Sequence, residues 1–469
     1  MKKINILLWV PLRPGSHWTA EGIAQTIEHI LSEISEVNIT VLVNKEHYSV
    51  LKQIFEEQDN INIVPLSFRW LLFKKELKSP KKPKYDSRYF DIETLSVNKN
   101  LLNTIFKKIS KKISNIIDSL GIFSYGTRLK IFTNLHKYGY FRKYHKTWVP
   151  VPIIPWIDQL RGETILSFWD PFGFEYRDFS DVAIFLHKNF LIILNSVTHI
   201  VTQSNNNKEY LVKMFQLDPN KISVIYLGYP NYAPLLDRHT LAIKDKDLLI
   251  QKWEEKIVKS NNINDYFIKI HKEFINHSLL FRLKKRLTPK TQILMISTQF
   301  RPYKGFETLF KTLDKLIKEY SSDMYFIFTG IVPKKLKDQY SHFHENIIEI
   351  NRVSNKQHAL LYKIADLTLH PSYAEGGLGC FPQFESASVG TPCLVNRGRH
   401  TDEMVLELNE NLKHIVYDFT DVNSLYSAIC QILNSQEHQK ENIQNIMNSY
   451  RSWKEASKEY ETLFLQENI

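Results

Sequence analysis

An α/β chain built on a doubly wound parallel sheet follows from three observations in the sequence. Short apolar runs of strand length alternate with stretches of helical period, the pattern of strands joined by crossover helices. The first such unit is Ile4–Val10, a loop holding Pro14, Gly15 and Gly22, and a helix from about Ala20. A glycine-bearing βα turn of this kind opens doubly wound folds. At 469 residues and 43% hydrophobic content, the chain is also long enough for two or three domains with full cores.

Taken in order, the first unit is followed by strands at Asn38–Val43 and Ile61–Pro65. A basic insert comes next. Residues 66–147 hold 19 Lys and Arg against 5 Asp and Glu, a balance of +14, so the rest of a chain with net charge +11 carries −3. Within it, KSPKKPK (Lys78–Lys84) has too much charge and proline to pack and reads as an exposed loop. Leu102, Ile105, Phe106, Ile109, Ile113 and Ile116 trace one helical face, with Lys107, Lys108, Lys111 and Lys112 on the other. Together with FRKYHK (Phe141–Lys146), this suits an anionic membrane surface. It equally suits a helix packed on its own domain with its lysines in water. No groove-reading or base-stacking motif accompanies the charge, which argues against nucleic acid.

Beyond the insert, Trp148–Ile154 and Glu163–Phe168 are strand-like, the second ending in Trp169-Asp170-Pro171. His187 falls in a helix expected over Ser180–Asn195 and reads as structural; strand His199–Gln203 then leads to Ser204 and Asn205 at a helix start. After Ile222–Tyr226, residues 231–288 read as added helices. Asp245 and Asp247 form a D-x-D in a charged run without a preceding buried strand, so they read as solvated surface. Strands are expected at Gln292–Ser297, Met324–Thr329, Ile347–Ile350 and Leu367–His370.

Two stretches carry chemistry. TQFRPYKG follows strand 292–297 and supplies two cations, Arg301, whose guanidinium can give paired hydrogen bonds, and Lys304, whose ammonium is a point charge. The second is HPSYAEGGLGCFPQFESASVGTPCLVNRGRHTDEM, His370–Met404. A strand ends there at Pro371, a turn with Gly376, Gly377 and Gly379 carries Glu375, and a helix is expected from Pro382 with Glu385 in its first turn. Strand, glycine-rich turn and helix N-terminus together offer backbone N–H groups to a phosphate. The bland alternative is two solvated glutamates beside a turn.

These residues resemble the E-x7-E signature of retaining GT-B glycosyltransferases of the family 4 (group 1) type, which reads roughly EGFGLPxxEAMAxGxPV. Ten positions separate Glu375 from Glu385 here, where the family has eight. TQFRPYKG resembles that family's G-R-x-x-x-x-K-G element, with Gln299 at the arginine position and Arg301 as the guanidinium. The resemblance implies two Rossmann-like domains facing across a cleft. Residues 1–230 would form the acceptor side, 231–288 a helical connection, 289–449 the nucleotide-sugar side, and 450–469 a helix crossing back.

By the same resemblance, Glu375 would hold the donor sugar's hydroxyls and Glu385 the ribose diol. Lys304 and Arg301 would hold the diphosphate, with backbone N–H groups of Gly376, Gly377, Leu378 and Gly379. Asp170 would contact sugar, at a place where the family often has a His-Asp pair and this chain has Trp169. Glu403 resembles the glutamate that follows the nucleotide pocket, and the Gly15–Gly22 loop would face the acceptor. The implied reaction is hexose transfer from a nucleoside diphosphate sugar to a glycan or lipid-linked acceptor, without cofactor or metal. The faint likeness to Q-F-R-P-x-K variants leans towards GDP-mannose. The competing readings are a glycoside hydrolase using the two glutamates, a GT-B sugar-nucleotide epimerase, and a catalytically silent membrane-associated partner subunit. MKKINILLWVPL has no cleavage site and is too short to span a bilayer. Cys380, Cys393 and Cys430 have neither metal spacing nor an even count. Both facts lead to the expectation of a cytoplasmic protein. The basic insert leans towards a place on the inner face of the membrane and a lipid-linked or membrane-proximal acceptor, as in surface polysaccharide assembly.

Overall fold

Two fully parallel sheets organise the chain. The computed structural model describes residues 4–10, 22–66, 144–150, 162–170, 190–259, 290–298, 300–301, 304–350 and 354–466. The Gly15 loop, the amphipathic stretch 102–117, His187, Gln299 and nearly all of the basic insert lie outside them.

The first sheet comprises β1 (Asn5–Trp9), β2 (Asn38–Asn44), β3 (Ile61–Leu66), β4 (Lys146–Val149), β5 (Glu163–Phe168), β6 (His199–Thr202) and β7 (Ile222–Val224), in the order β3-β2-β1-β4-β5-β6-β7. The second comprises β8 (Gln292–Ile296), β9 (Met324–Phe328), β10 (Ile347–Glu349), β11 (Leu367–His370), β12 (Cys393–Asn396) and β13 (Val416–Tyr417), in the order β10-β9-β8-β11-β12-β13. Their strands are short and nearly wholly apolar because both faces are covered. In each sheet the order reverses once, between β1 and β4 and between β8 and β11. That reversal marks the crevice where such sheets hold ligands, outside the carboxyl ends of the strands.

The helices that matter to the site are α1 (Gly22–Glu33), α2 (Asn205–Phe215), α3 (Lys246–Lys259), α4 (Phe306–Lys315), α5 (Asn355–Ile364), α6 (Phe381–Ser388), α7 (Arg399–Glu407), α8 (Val422–Asn434) and α9 (Trp453–Leu465). Ser204 caps α2 by accepting from Asn207 N. Asp245 starts α3 in the same way, accepting from the N–H groups of Asp247 and Leu248, and the D-x-D is exposed helix-capping surface.

α9 follows the whole second sheet in sequence but packs on the first. Its capping box pairs Ser452 with Glu455, Trp453 stacks on His29 of α1 at 4.7 Å, and Tyr460 and Phe464 pack on Trp148 of β4. Trp453, Tyr460, Leu463 and Phe464 thereby join Ile6, Leu8, Ile27 and Val41 in one core. Among the described residues, no helix is long and apolar enough to cross a membrane.

Three expectations need correction. The strand at 148–154 begins earlier and ends at Val149, before Pro150. Lys146, counted in the basic run FRKYHK, is buried in that strand and paired with Glu163 at 2.6 Å. The helix expected from Pro382 starts at Phe381, because Gln383 folds back to accept from Cys380 N and so fixes Cys380 as the cap. That puts Pro382 second and Glu385 in the second turn rather than the first. α7 starts at Arg399, with Gly398 donating its N–H to the Thr401 hydroxyl.

Candidate active site

β8 and β11 are hydrogen-bonded neighbours, with Leu367 opposite Leu294, so the loops that leave their carboxyl ends lie side by side. The loop after β8 holds Arg301, Lys304 and Gly305; the loop after β11 holds Glu375 to Gly379. Gly305 has φ +58°, and a Cβ there would come within 2.7 Å of Pro371 O and 3.0 Å of the Tyr373 ring. Glycine lets the two loops touch.

At their meeting point Lys304 Nζ is ion-paired with Glu375 Oε1, and His370 Nε2 lies 2.8 Å from the same oxygen. Lys304 is 7% exposed. Burial alone would raise the Glu375 carboxyl, but Lys304 and His370 outweigh it and hold the group well below the usual carboxylate range. Burial lowers the His370 pKa, against the raising effect of Glu375. His400 is 2% exposed and stands in the field of Glu375, His370 and Lys304. Its desolvation pushes the pKa down to about 3, so the ring is neutral. Arg301 is half-buried in the same turn, its carbonyl accepting from Lys304 N at 3.0 Å.

The glycine turn is not an open cradle throughout. Gly379, at φ +65°, donates its N–H to His400 O at 3.0 Å, and Leu378 is buried with its carbonyl accepting from Tyr229 OH. The expectation that the amides up to Gly379 face an anion is corrected there: the Gly379 N–H is already used within the fold. Gly376 and Gly377 remain at the turn's tip.

Glu385, 6% exposed, points into a separate polar cluster. Tyr362 OH donates to Glu385 Oε2 at 2.6 Å, and Ser297 Oγ lies 2.9 Å from His358 Nε2 close by. Burial raises the Glu385 pKa to about 7, opposed by the Tyr362 and Tyr232 hydroxyls. The carboxyl is therefore near the midpoint of its titration at neutral pH.

The first sheet closes over this turn. A Cβ added at Gly376 would overlap Trp169 O and the Gln203 amide and lie 3.1 Å from Asp170 Cβ. Asp170 is thus brought against the Glu375 turn, at the carboxyl end of β5. Glu403 behaves differently from its expected role. Its two carboxylate oxygens accept from Asn205 N at 2.5 Å and Asn206 N at 3.0 Å, capping α2 of the other domain. A cavity of ≈ 700 Å³ lies beside this contact, lined by Lys208, Glu209, Arg399, Glu403 and Leu406 among others. Glu375, Lys304 and Glu385 do not line it.

Residues 280–449 match the family model for glycosyl transferases, group 1. This part of the chain is a glycosyltransferase domain. Solved structures with the same fold include a glycosyltransferase from Rickettsia africae, 14% identical, with TM-score 0.53 over 99% of this chain and 98% of that one. Anabaena HepE, in complex with UDP and glucose, is 11% identical with TM-score 0.57 over 99% of this chain and 100% of that one. WaaG, a glycosyltransferase involved in lipopolysaccharide biosynthesis, is 10% identical with TM-score 0.53 over 98% and 100%. A search of curated proteins gives no match. The fold is GT-B, and the glycosyltransferase domain contains Arg301, Lys304, Glu375, Glu385 and Glu403, with Asp170 reaching it from the N-terminal sheet.

Several residues at the candidate site escaped sequence reasoning. His370 could have been suspected, as a polar residue ending a buried strand five positions before Glu375. Tyr232, Tyr362 and Asn207 gave no signal, since their partners are 153, 23 and 169 residues away.

Proposed function

We propose that the protein is a retaining hexosyltransferase that moves a sugar from a nucleoside diphosphate donor to a glycan or lipid-linked acceptor in surface polysaccharide assembly. The observation that carries this reading is the meeting of the Lys304 turn and the Glu375 turn at the switch point of the C-terminal sheet. There a cation and an ionised carboxylate stand a few ångströms apart beneath the N-terminal domain. When the bond from sugar C1 to the diphosphate oxygen breaks, negative charge gathers on the diphosphate. Lys304 and Arg301 supply fixed positive charge for it, which is electrostatic stabilisation of the transition state. The acceptor hydroxyl then bonds to C1, and its proton leaves with the diphosphate. Glu375 accepts hydrogen bonds from the donor sugar's hydroxyls, Glu385 from the ribose diol, and Asp170 meets sugar from the opposite wall.

HepE's complex with UDP and glucose supports a nucleotide sugar as donor. The basic insert 66–147 supports an acceptor at an anionic membrane surface on the cytoplasmic side, and WaaG's part in lipopolysaccharide biosynthesis is in keeping with that.

The test is release of nucleoside diphosphate from UDP-, GDP-, ADP- and dTDP-sugars in the presence of acceptor, after thermal-shift screening has picked the donor. Lys304→Ala and Glu385→Ala should each lower turnover by roughly a hundredfold or more. Turnover unchanged in both variants would overturn the reading.

A further inference from the structure

α2 opens with three consecutive asparagines, and each one reaches the C-terminal domain. Asn205 and Asn206 donate their backbone N–H groups to Glu403, and the Asn206 side chain donates to Arg399 O at 2.9 Å. Asn207 is different in kind. Its Nδ2, 4% exposed with the rest of the residue, donates one hydrogen to Trp169 O at 2.9 Å and the other to Gly376 O at 2.8 Å. One carbonyl belongs to each domain, and each belongs to the residue next to a candidate site acid: Trp169 precedes Asp170, and Gly376 follows Glu375.

We propose that Asn207 is a positioning residue that fixes the Asp170 loop against the Glu375 turn, so that both acids reach one sugar when the domains close. The inference rests on the transferase reading above. A single planar amide with two divergent hydrogens ties two carbonyls at a set separation, which a longer or single-donor side chain cannot reproduce. Gly376 has no side chain to hold the domains apart at that point, and Gln203 Nε2 makes a second bond to Trp169 O. The carbonyl facing both amides is therefore the fixed point of the junction. The bonds of the Asn207 amide go to Trp169 O and Gly376 O and none to Lys304 or Glu385, so its loss leaves those two side chains with their own partners, Glu375 and Tyr362.

The experiment uses Asn207→Asp and Asn207→Ala in the full chain. Aspartate at this third helical position suits the helix dipole but removes both donors. Kinetics with the donor identified for the wild type should show kcat lowered by roughly ten- to a hundredfold, with donor KM and nucleoside diphosphate Kd within about twofold. Unchanged kcat overturns the proposal. So does a loss of kcat matched by an equal loss of nucleotide affinity, which is the mark of a merely structural role. Amide hydrogen exchange is measured in parallel, and segments 162–170 and 372–379 should lose protection together in both variants. If they do not, the proposal falls, even where the wild type turns over no nucleotide sugar. Wild-type inactivity by itself counts against the transferase reading alone.

Discussion

At the scale of the residue, Glu375 and Glu385 show how surroundings divide two similar acids. Glu375 sits between Lys304 and His370 and stays ionised. Glu385 sits among tyrosines, and burial raises its pKa from 4.5 to about 7. A carboxyl that holds its proton more tightly when folded contributes stability that is fully present below about pH 4.5 and lost as pH rises through about 7. The difference is on the order of 3 kcal/mol. Glu385→Gln keeps an acceptor for Tyr362 and has no proton to lose. Between pH 5 and 8 the wild type's melting temperature should fall relative to the variant's by roughly 5 °C or more, the slope from the buried histidines being common to both. Calorimetry across that range decides it, and parallel slopes in the two proteins would refute the assignment.

At the scale of the element, α9 is held by apolar contact more than by its capping box. Phe464 is fully buried against Trp148 and Tyr460. Phe464→Ala should cost about 3–5 kcal/mol, read as an earlier thermal transition, while Leu465→Ala, 41% exposed, should change little. This helix was expected from the family resemblance alone, which implies a last helix crossing back, and not from its own apolar spacing. β1, β2, β5, β8, β9 and β11 were legible in the sequence as short apolar runs between turns. The start of α6 was not, because proline fits either of the first two helical positions and only the Gln383 bond to Cys380 N chooses between them. Lys304 and Glu375 could be found from a shared motif. Asn207 and Glu403 could not be assigned their observed partners, since no local pattern announces which distant backbone a side chain will meet.

At the scale of the whole molecule, the two sheets meet through a small set of polar contacts. Glu403 supplies the largest, two bonds from an anion to the positive end of α2. Burial raises its pKa, opposed by the Asn206 and Asn205 amides. Glu403→Ala should disfavour the closed arrangement by about 2 kcal/mol, visible as an increased radius of gyration in small-angle scattering. Scattering curves that superimpose would show that the clamp is dispensable.

The return of α9 to the first sheet also governs how the protein is made. On the ribosome, the strands of the first sheet emerge before α9, with an unfilled slot beside Trp148 where Tyr460 and Phe464 belong. The early half therefore waits, partly open to chaperones and proteases, until the later half has been synthesised and has laced the two together.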